Sequence, residues 1–190
     1  MKNRFVISMC LALLTSFFAI HTPLVYAQTP APTSVAPTPN PDDVKSVDAI
    51  IAALYDVISG PANKKRDWDR MRSLFAEGGR LIPIVKRLSG DFVLRVLTVE
   101  DYIASSGKRL EESGFFEKEL ARRAERYGNL VHVFSTYEAK RDLKDDKPLA
   151  RGINSIQLMC DGSRWFIVTV FWETERPENP LPDDYLKSRP

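Results

Sequence analysis

Asp67-Trp68-Asp69 sets two carboxylates around an indole, directly after the basic run Lys64-Lys65-Arg66. Two carboxylates beside an aromatic wall are what general acid–base catalysis uses when a dry pocket drives their pKa values apart. The same residues also have the composition of a helix start. Asp67 stands where a capping carboxylate accepts free backbone N–H groups, and Asp69 falls in the first turn, where negative charge suits the helix dipole. Trp68 then opens an apolar stripe continued by Met71, Leu74 and Phe75. The helix reading is the stronger one and makes this stretch a marker of fold. Lys64-Lys65-Arg66, short and followed by two aspartates, reads as a solvated loop. His132 is the remaining obvious base, because imidazole titrates near neutral pH.

The bulk numbers limit which chemistry can be present. Lys2 and Arg4, the apolar stretch from Phe5 to Ile20, and Val25-Tyr26-Ala27 before Gln28 form the three parts of a secretory signal, predicted as residues 1–27. Its apolar part is shorter than the roughly 20 residues of a spanning helix, so the expected destination is periplasmic or secreted, with no stable membrane span after cleavage. The chain holds 27 basic and 25 acidic residues, and two of the basic ones lie in that leader. The remainder is formally neutral, which argues against nucleic-acid binding. Cys160 is the sole cysteine past the leader, so no intramolecular disulfide is expected. His132 is the sole histidine there, and no Cys/His ligand spacing survives, so neither a metal nor a cofactor is expected.

Composition then divides the chain. Residues 28–45 are rich in Pro, Thr and Ala and read as a linker that cannot bury enough surface to offset ordering entropy. Residues 46–176 have the size and the mixed apolar and charged composition of one domain, and 177–190 break up on prolines into an irregular tail. Ser46 caps a helix whose stripe is Val47, Ile50, Ile51, Leu54, Val57 and Ile58. A second helix is expected from Asp67 to Gly78-Gly79. "RLIPIV" and "FVLRVL" flank Ser89-Gly90-Asp91 as a hairpin, and Thr98 with Asp101 opens a third helix. "NLVHVFSTYEAKR", "GINSIQLMC" and "RWFIVTVFWETE" are dense in β-branched and aromatic residues and read as strands. "FFEKELARRAERYG" has helical spacing at Phe116, Leu120, Ala124 and Tyr127.

Helix, helix, hairpin, helix and then long strands, with "RDWDRMRSLFAEGGRL" running into a strand and "DGSRWFIVTVFWE" closing the domain, resembles the NTF2-like (SnoaL-like) superfamily over residues 46–176. The likeness is greatest to exported bacterial members of unassigned function. It implies an α+β cone, in which a curved antiparallel sheet wraps around three N-terminal helices and leaves a central pocket. It also implies that "FFEKELARRAERYG" is a strand, against its own periodicity, and that the outer sheet face pairs two subunits in a homodimer. Ketosteroid isomerases share the superfamily, but here their base position falls on Leu81-Ile82-Pro83 and their second acid on Ile156. Nothing catalytic carries over from them.

By the same resemblance Tyr137 turns inward, with Asn154, Ile156 and Leu158 on one neighbouring strand and Val168, Val170 and Trp172 on the next. Tyr55 reaches in from the first helix. His132 turns outward, although one bulge would reverse it. The candidate ligand-binding residues are Tyr55, Tyr137, Asn154, Trp172 and His132. They suit a small apolar or amphipathic molecule. The alternatives are a cofactor-independent lyase or isomerase, with a tyrosine donor and His132 or Glu138 as base, and a dimeric interaction module whose pocket is filled.

Overall fold

The computed structural model describes residues 37–187; the expected signal at 1–27 and the first half of the linker lie outside them. Helix α1 (Pro41–Val44) is the first element, formed by residues the composition assigned to the linker. Asn40 caps it, Pro41 opens it, and Asp43 and Val44 are buried. Arg70 fastens it by a two-pronged contact to Asp43, at 2.7 and 2.9 Å. Helix α2 (Val47–Ile58) starts where Ser46 Oγ accepts from Ala49 N–H at 3.1 Å, as its sequence predicts.

Asp67 does cap α3 (Trp68–Leu74), accepting from Arg70 N–H at 2.9 Å. The helix, however, stops at Leu74 and passes directly into β1 (Phe75–Lys86), so Gly78-Gly79 lie inside a strand instead of ending a helix. Strand pairing is the reason. Phe75 is already opposite Ile167, the register resumes at Arg80 opposite Thr169, and Gly78, with φ of 74°, takes up the extra residues in a left-handed kink. Strand β2 (Phe92–Leu94) returns against β1 as the expected hairpin. Helix α4 (Val99–Ser113) carries the Thr98/Asp101 capping box.

Four long strands follow: β3 (Phe116–Tyr127), β4 (Leu130–Lys140), β5 (Ala150–Cys160) and β6 (Trp165–Thr174). They join one curved sheet of order β2-β1-β6-β5-β4-β3, antiparallel throughout except for the parallel β1–β6 pair. The segment with helical spacing is β3. It pairs with β4 from Phe116–Lys140 to Tyr127–Leu130, and this tertiary pairing overrides the propensity of its residues. Ile50, Ile51 and Leu54 of α2 and Met71 and Leu74 of α3 pack on Val131, Val133, Ile156, Leu158 and Ile167 of the sheet. Burying each such side chain contributes about 1.5–3 kcal/mol. Behind the sheet, the tail residues 177–187 cross its outer face. Thr136 Oγ1 donates to the Tyr185 carbonyl at 2.6 Å, and the Arg123 guanidinium lies 4.0 Å from the Tyr185 ring centre.

One residue of the basic run is not solvated. Lys64 and Lys65 are exposed, but Arg66 is only 7% exposed. Its guanidinium donates to the carbonyls of Ile58 (3.1 Å), Gly60 (2.6 Å), Pro61 (3.4 Å), Lys64 (2.6 Å) and Leu110 (3.0 Å). Ile58 and Leu110 belong to the last turns of α2 and α4, where carbonyls lack helical partners and the dipole favours a cation. Gly60 must be glycine for this, because a Cβ there would stand 2.7 Å from Arg66 Nη1. Arg66→Lys keeps the charge but cannot reach five acceptors. It is expected to lower the unfolding free energy by about 2–4 kcal/mol. The measurement is the urea midpoint, with Lys64→Ala and Lys65→Ala staying within about 0.5 kcal/mol of the parent. An unchanged midpoint for Arg66→Lys would show that other donors satisfy those carbonyls.

Candidate functional site

Between α2, α4, β1 and the inner face of β3–β6 the core leaves a cavity of about 390 Å³. Its apolar wall includes Leu54, Ile58, Met71, Leu81, Leu110 and Val170. Four of the residues expected from sequence meet there: Tyr55, Tyr137, Asn154 and Trp172. His132 does not. It lies on the outer face, bonded through Nε2 to Ser155 Oγ at 2.8 Å, beside a groove of about 490 Å³ that Phe134, Phe171 and the tail border. Glu138, the other base suggested by sequence, faces Lys118 at 3.5 Å and does not line the central cavity. Val168 is also turned outward, 36% exposed, because the register between β5 and β6 slips after Gln157 and brings Ile167 inward.

The carboxylic acid lining the cavity is Glu117, on β3. Ser59 places it: the Ser59 hydroxyl accepts from Glu117 N–H at 2.9 Å and donates to the Tyr55 carbonyl at 2.6 Å, tying the start of β3 to the end of α2. Glu117 Oε1 accepts one hydrogen bond, from Asn154 Nδ2 at 3.1 Å. The other hydrogen of that amide goes to Tyr55 Oη, also at 3.1 Å. Ser135 spends its single proton on Glu119 Oε1 (2.5 Å), so in its contact with Tyr55 Oη (2.6 Å) the tyrosine is the donor. Arg122 closes the chain, donating to Glu119 at 2.6 Å and to Asp48. The whole run, Asn154 to Tyr55 to Ser135 to Glu119, has a single direction.

Burial pushes the Glu117 carboxyl up to about 7, only partly opposed by the Asn154 hydrogen bond. Its remaining accessible surface faces the central cavity and a cleft of about 450 Å³ between α2 and β3, so it is desolvated yet reachable. Burial raises the three cavity tyrosines as well, helped by the nearby Glu117 charge: Tyr137 to about 12, and Tyr55 and Tyr102 further. They remain neutral donors at any ordinary pH. Tyr137 is bonded to Thr174 Oγ1 at 3.1 Å. Tyr102, edge-on to Trp172 at 6.5 Å between ring centres, has no protein partner for its hydroxyl among the described residues. Glu117 and Tyr102 thus offer a carboxyl and a hydroxyl to a bound molecule, beside Ser106 and Arg109 in the same lining, and a carboxyl near neutrality can give or take a proton. The signal that could have found Glu117 is its place opposite Ala139, two residues from Tyr137, but it appears only once β3 is read as a strand.

This assignment has a consequence for stability. Glu117 is raised in the folded state from 4.5 to about 7. Its contribution is therefore fully present below the ordinary carboxyl range and is lost as pH rises through about 7. Denaturant melts of the wild type should lose about 2–3 kcal/mol relative to Glu117→Gln between about pH 4.5 and about pH 8. Parallel curves for the two proteins would mean that the carboxyl is not raised.

No protein-family model matches the sequence, and neither does any curated protein. Solved structures do match its fold. A protein of unknown function with a cystatin-like fold from Nostoc punctiforme aligns over 72% of this chain and 92% of its own, at 14% identity and a TM-score of 0.52. An NTF2-like protein of unknown function from Pseudomonas putida aligns over 72% and 90%, at 9% identity and a TM-score of 0.52. LinA aligns over 70% and 85%, at 9% identity and a TM-score of 0.51. At such identities the likeness is one of fold, and it agrees with the helices, sheet and cavity described above: the chain has the NTF2-like fold.

Proposed function

We propose that this protein binds a small apolar or amphipathic molecule in the central cavity, with Glu117 and Tyr102 as the groups that hydrogen-bond to it. The observation that carries this reading is a cavity of about 390 Å³ with an apolar wall and a few uncommitted polar groups, Glu117 and Tyr102 among them. Small-molecule sites combine that size, that wall and that few polar groups. The signal-like leader adds a periplasmic or secreted setting, where such a molecule would be met. Native mass spectrometry of protein purified from the periplasm is the direct test. A co-purified mass of a few hundred daltons, lost in a variant that fills the cavity such as Val170→Trp, is expected. A protein that neither retains nor takes up any small apolar molecule would sink the reading.

A second reading, a cofactor-independent lyase or isomerase, is favoured by one observation: the Glu117 carboxyl sits near 7 inside an aromatic cavity. As base, Glu117 would remove a proton from a carbon next to an electron-withdrawing group, while Tyr102 stabilised the developing negative charge by donating a hydrogen bond. Glu117→Gln preserves the shape and removes the base. Solvent-deuterium exchange into a bound molecule, followed by NMR, should fall by 100-fold or more in that variant while binding persists. Equal exchange in both proteins would discard catalysis and leave binding intact.

A further inference from the structure

The mouth of the cavity carries a charge pattern that the formally neutral composition past residue 27 conceals. A vestibule of about 380 Å³ opens beside the cavity and shares Tyr102, Ser106, Arg109, Trp172 and Thr174 with it. Its charged lining is Lys86, Arg95, Arg109 and Arg176, with no acidic side chain among the lining residues. Two of the four are already compensated. Lys86 pairs with Glu178 at 2.5 Å, and Arg176 pairs with Glu173 at 2.6 Å and with Glu178 at 3.3 Å. Arg95 and Arg109 make no ion pair among the described residues. Both are exposed, so neither bears the desolvation cost that would force an internal partner.

Building on the reading that the cavity holds a small molecule, we propose that its ligand is an organic anion, with an apolar body in the cavity and a carboxylate or sulfonate head held in the vestibule by Arg95 and Arg109. A guanidinium offers paired N–H donors that match a carboxylate or sulfonate edge. Concave walls lined by one sign of charge concentrate the field, so the pair acts more strongly than on a flat surface. The arrangement also separates like charges. Glu117 lines the cavity but not the vestibule, which keeps the cavity's carboxyl away from the anionic head. Ser106, shared by both spaces, supplies a hydroxyl at the boundary between body and head.

Two fluorescent probes of the same ring skeleton test this on the intact protein: anilinonaphthalene sulfonate and its uncharged parent, N-phenylnaphthylamine. Wild type is expected to bind both, the sulfonate more tightly and with an affinity that falls with salt. Arg95→Gln with Arg109→Gln should weaken the sulfonate about tenfold and leave the uncharged probe unchanged. The same charge loss at Lys144→Gln with Lys147→Gln, residues outside the vestibule, should move neither. If the arginine variant binds the sulfonate as wild type does, or loses both probes equally, the anion site is overturned while cavity binding stands. If wild type binds neither probe, cavity binding itself fails, and the anion site fails with it.

Discussion

The guanidinium of Arg66 is the contact on which the geometry of the site depends. A cation this far from water, with no carboxylate bonded to it, would normally be expelled or paired. Here five carbonyls, two of them from the last turns of α2 and α4, take the place of a counter-ion. The arginine thereby fixes where both helices end. Those ends hold the bridge between Gly60 and Phe115, in which the two backbones exchange hydrogen bonds of 2.7 and 3.0 Å. One residue past that bridge β3 begins, and its second residue is Glu117. The carboxyl in the cavity is thus aimed by a surface-like basic run some fifty positions earlier in sequence.

The contrast between Glu117 and Glu119 shows how one strand gives two acids different characters. Both face inward, two residues apart, opposite Ala139 and Tyr137. Glu119 receives Arg122 and the Ser135 hydroxyl, so its charge is met by a cation and a donor. Glu117 receives a single amide hydrogen and an aromatic wall, so desolvation dominates and the proton is held toward neutrality. The directional chain through Tyr55 and Ser135 maintains the difference. It commits the Tyr55 proton to Ser135 and the Ser135 proton to Glu119, which leaves Tyr55 unable to donate to Glu117 or to a ligand.

How much of this was legible in the sequence follows from the range of each interaction. Caps and turns are local, so Ser46, Asp67, Thr98 with Asp101, and the Ser89-Gly90-Asp91 hairpin could be read directly. Face assignment depends on register and fails wherever a bulge intervenes. The slip between Glu119 and Ala121 hid the inward set of β3, and the slip after Gln157 put Val168 on the wrong face. Tyr55, Tyr137, Asn154 and Trp172 were assigned to one cavity because no bulge separates Asn154 from Trp172 across β5 and β6. Arg66 was misread because its partners are backbone carbonyls, which carry no signature in side-chain composition.

The interior polar groups restrict what kind of selectivity the site can have. Asn154 spends both amide hydrogens internally, Tyr55 is committed to Ser135, and Tyr137 to Thr174. A hydroxyl-rich molecule would therefore leave most of its groups unpaired in a dry space, at a cost of about 1–3 kcal/mol each. If the cavity binds a ligand as proposed, such molecules would be rejected by desolvation and need no steric clash. Selection among the remaining apolar candidates rests on the few uncommitted groups, Glu117 and Tyr102 inside and the arginines at the rim. Since an exposed guanidinium exchanges water for a ligand easily, in the proposed role the rim would favour capture and release, and the interior carboxyl would decide what can be done to a molecule held there.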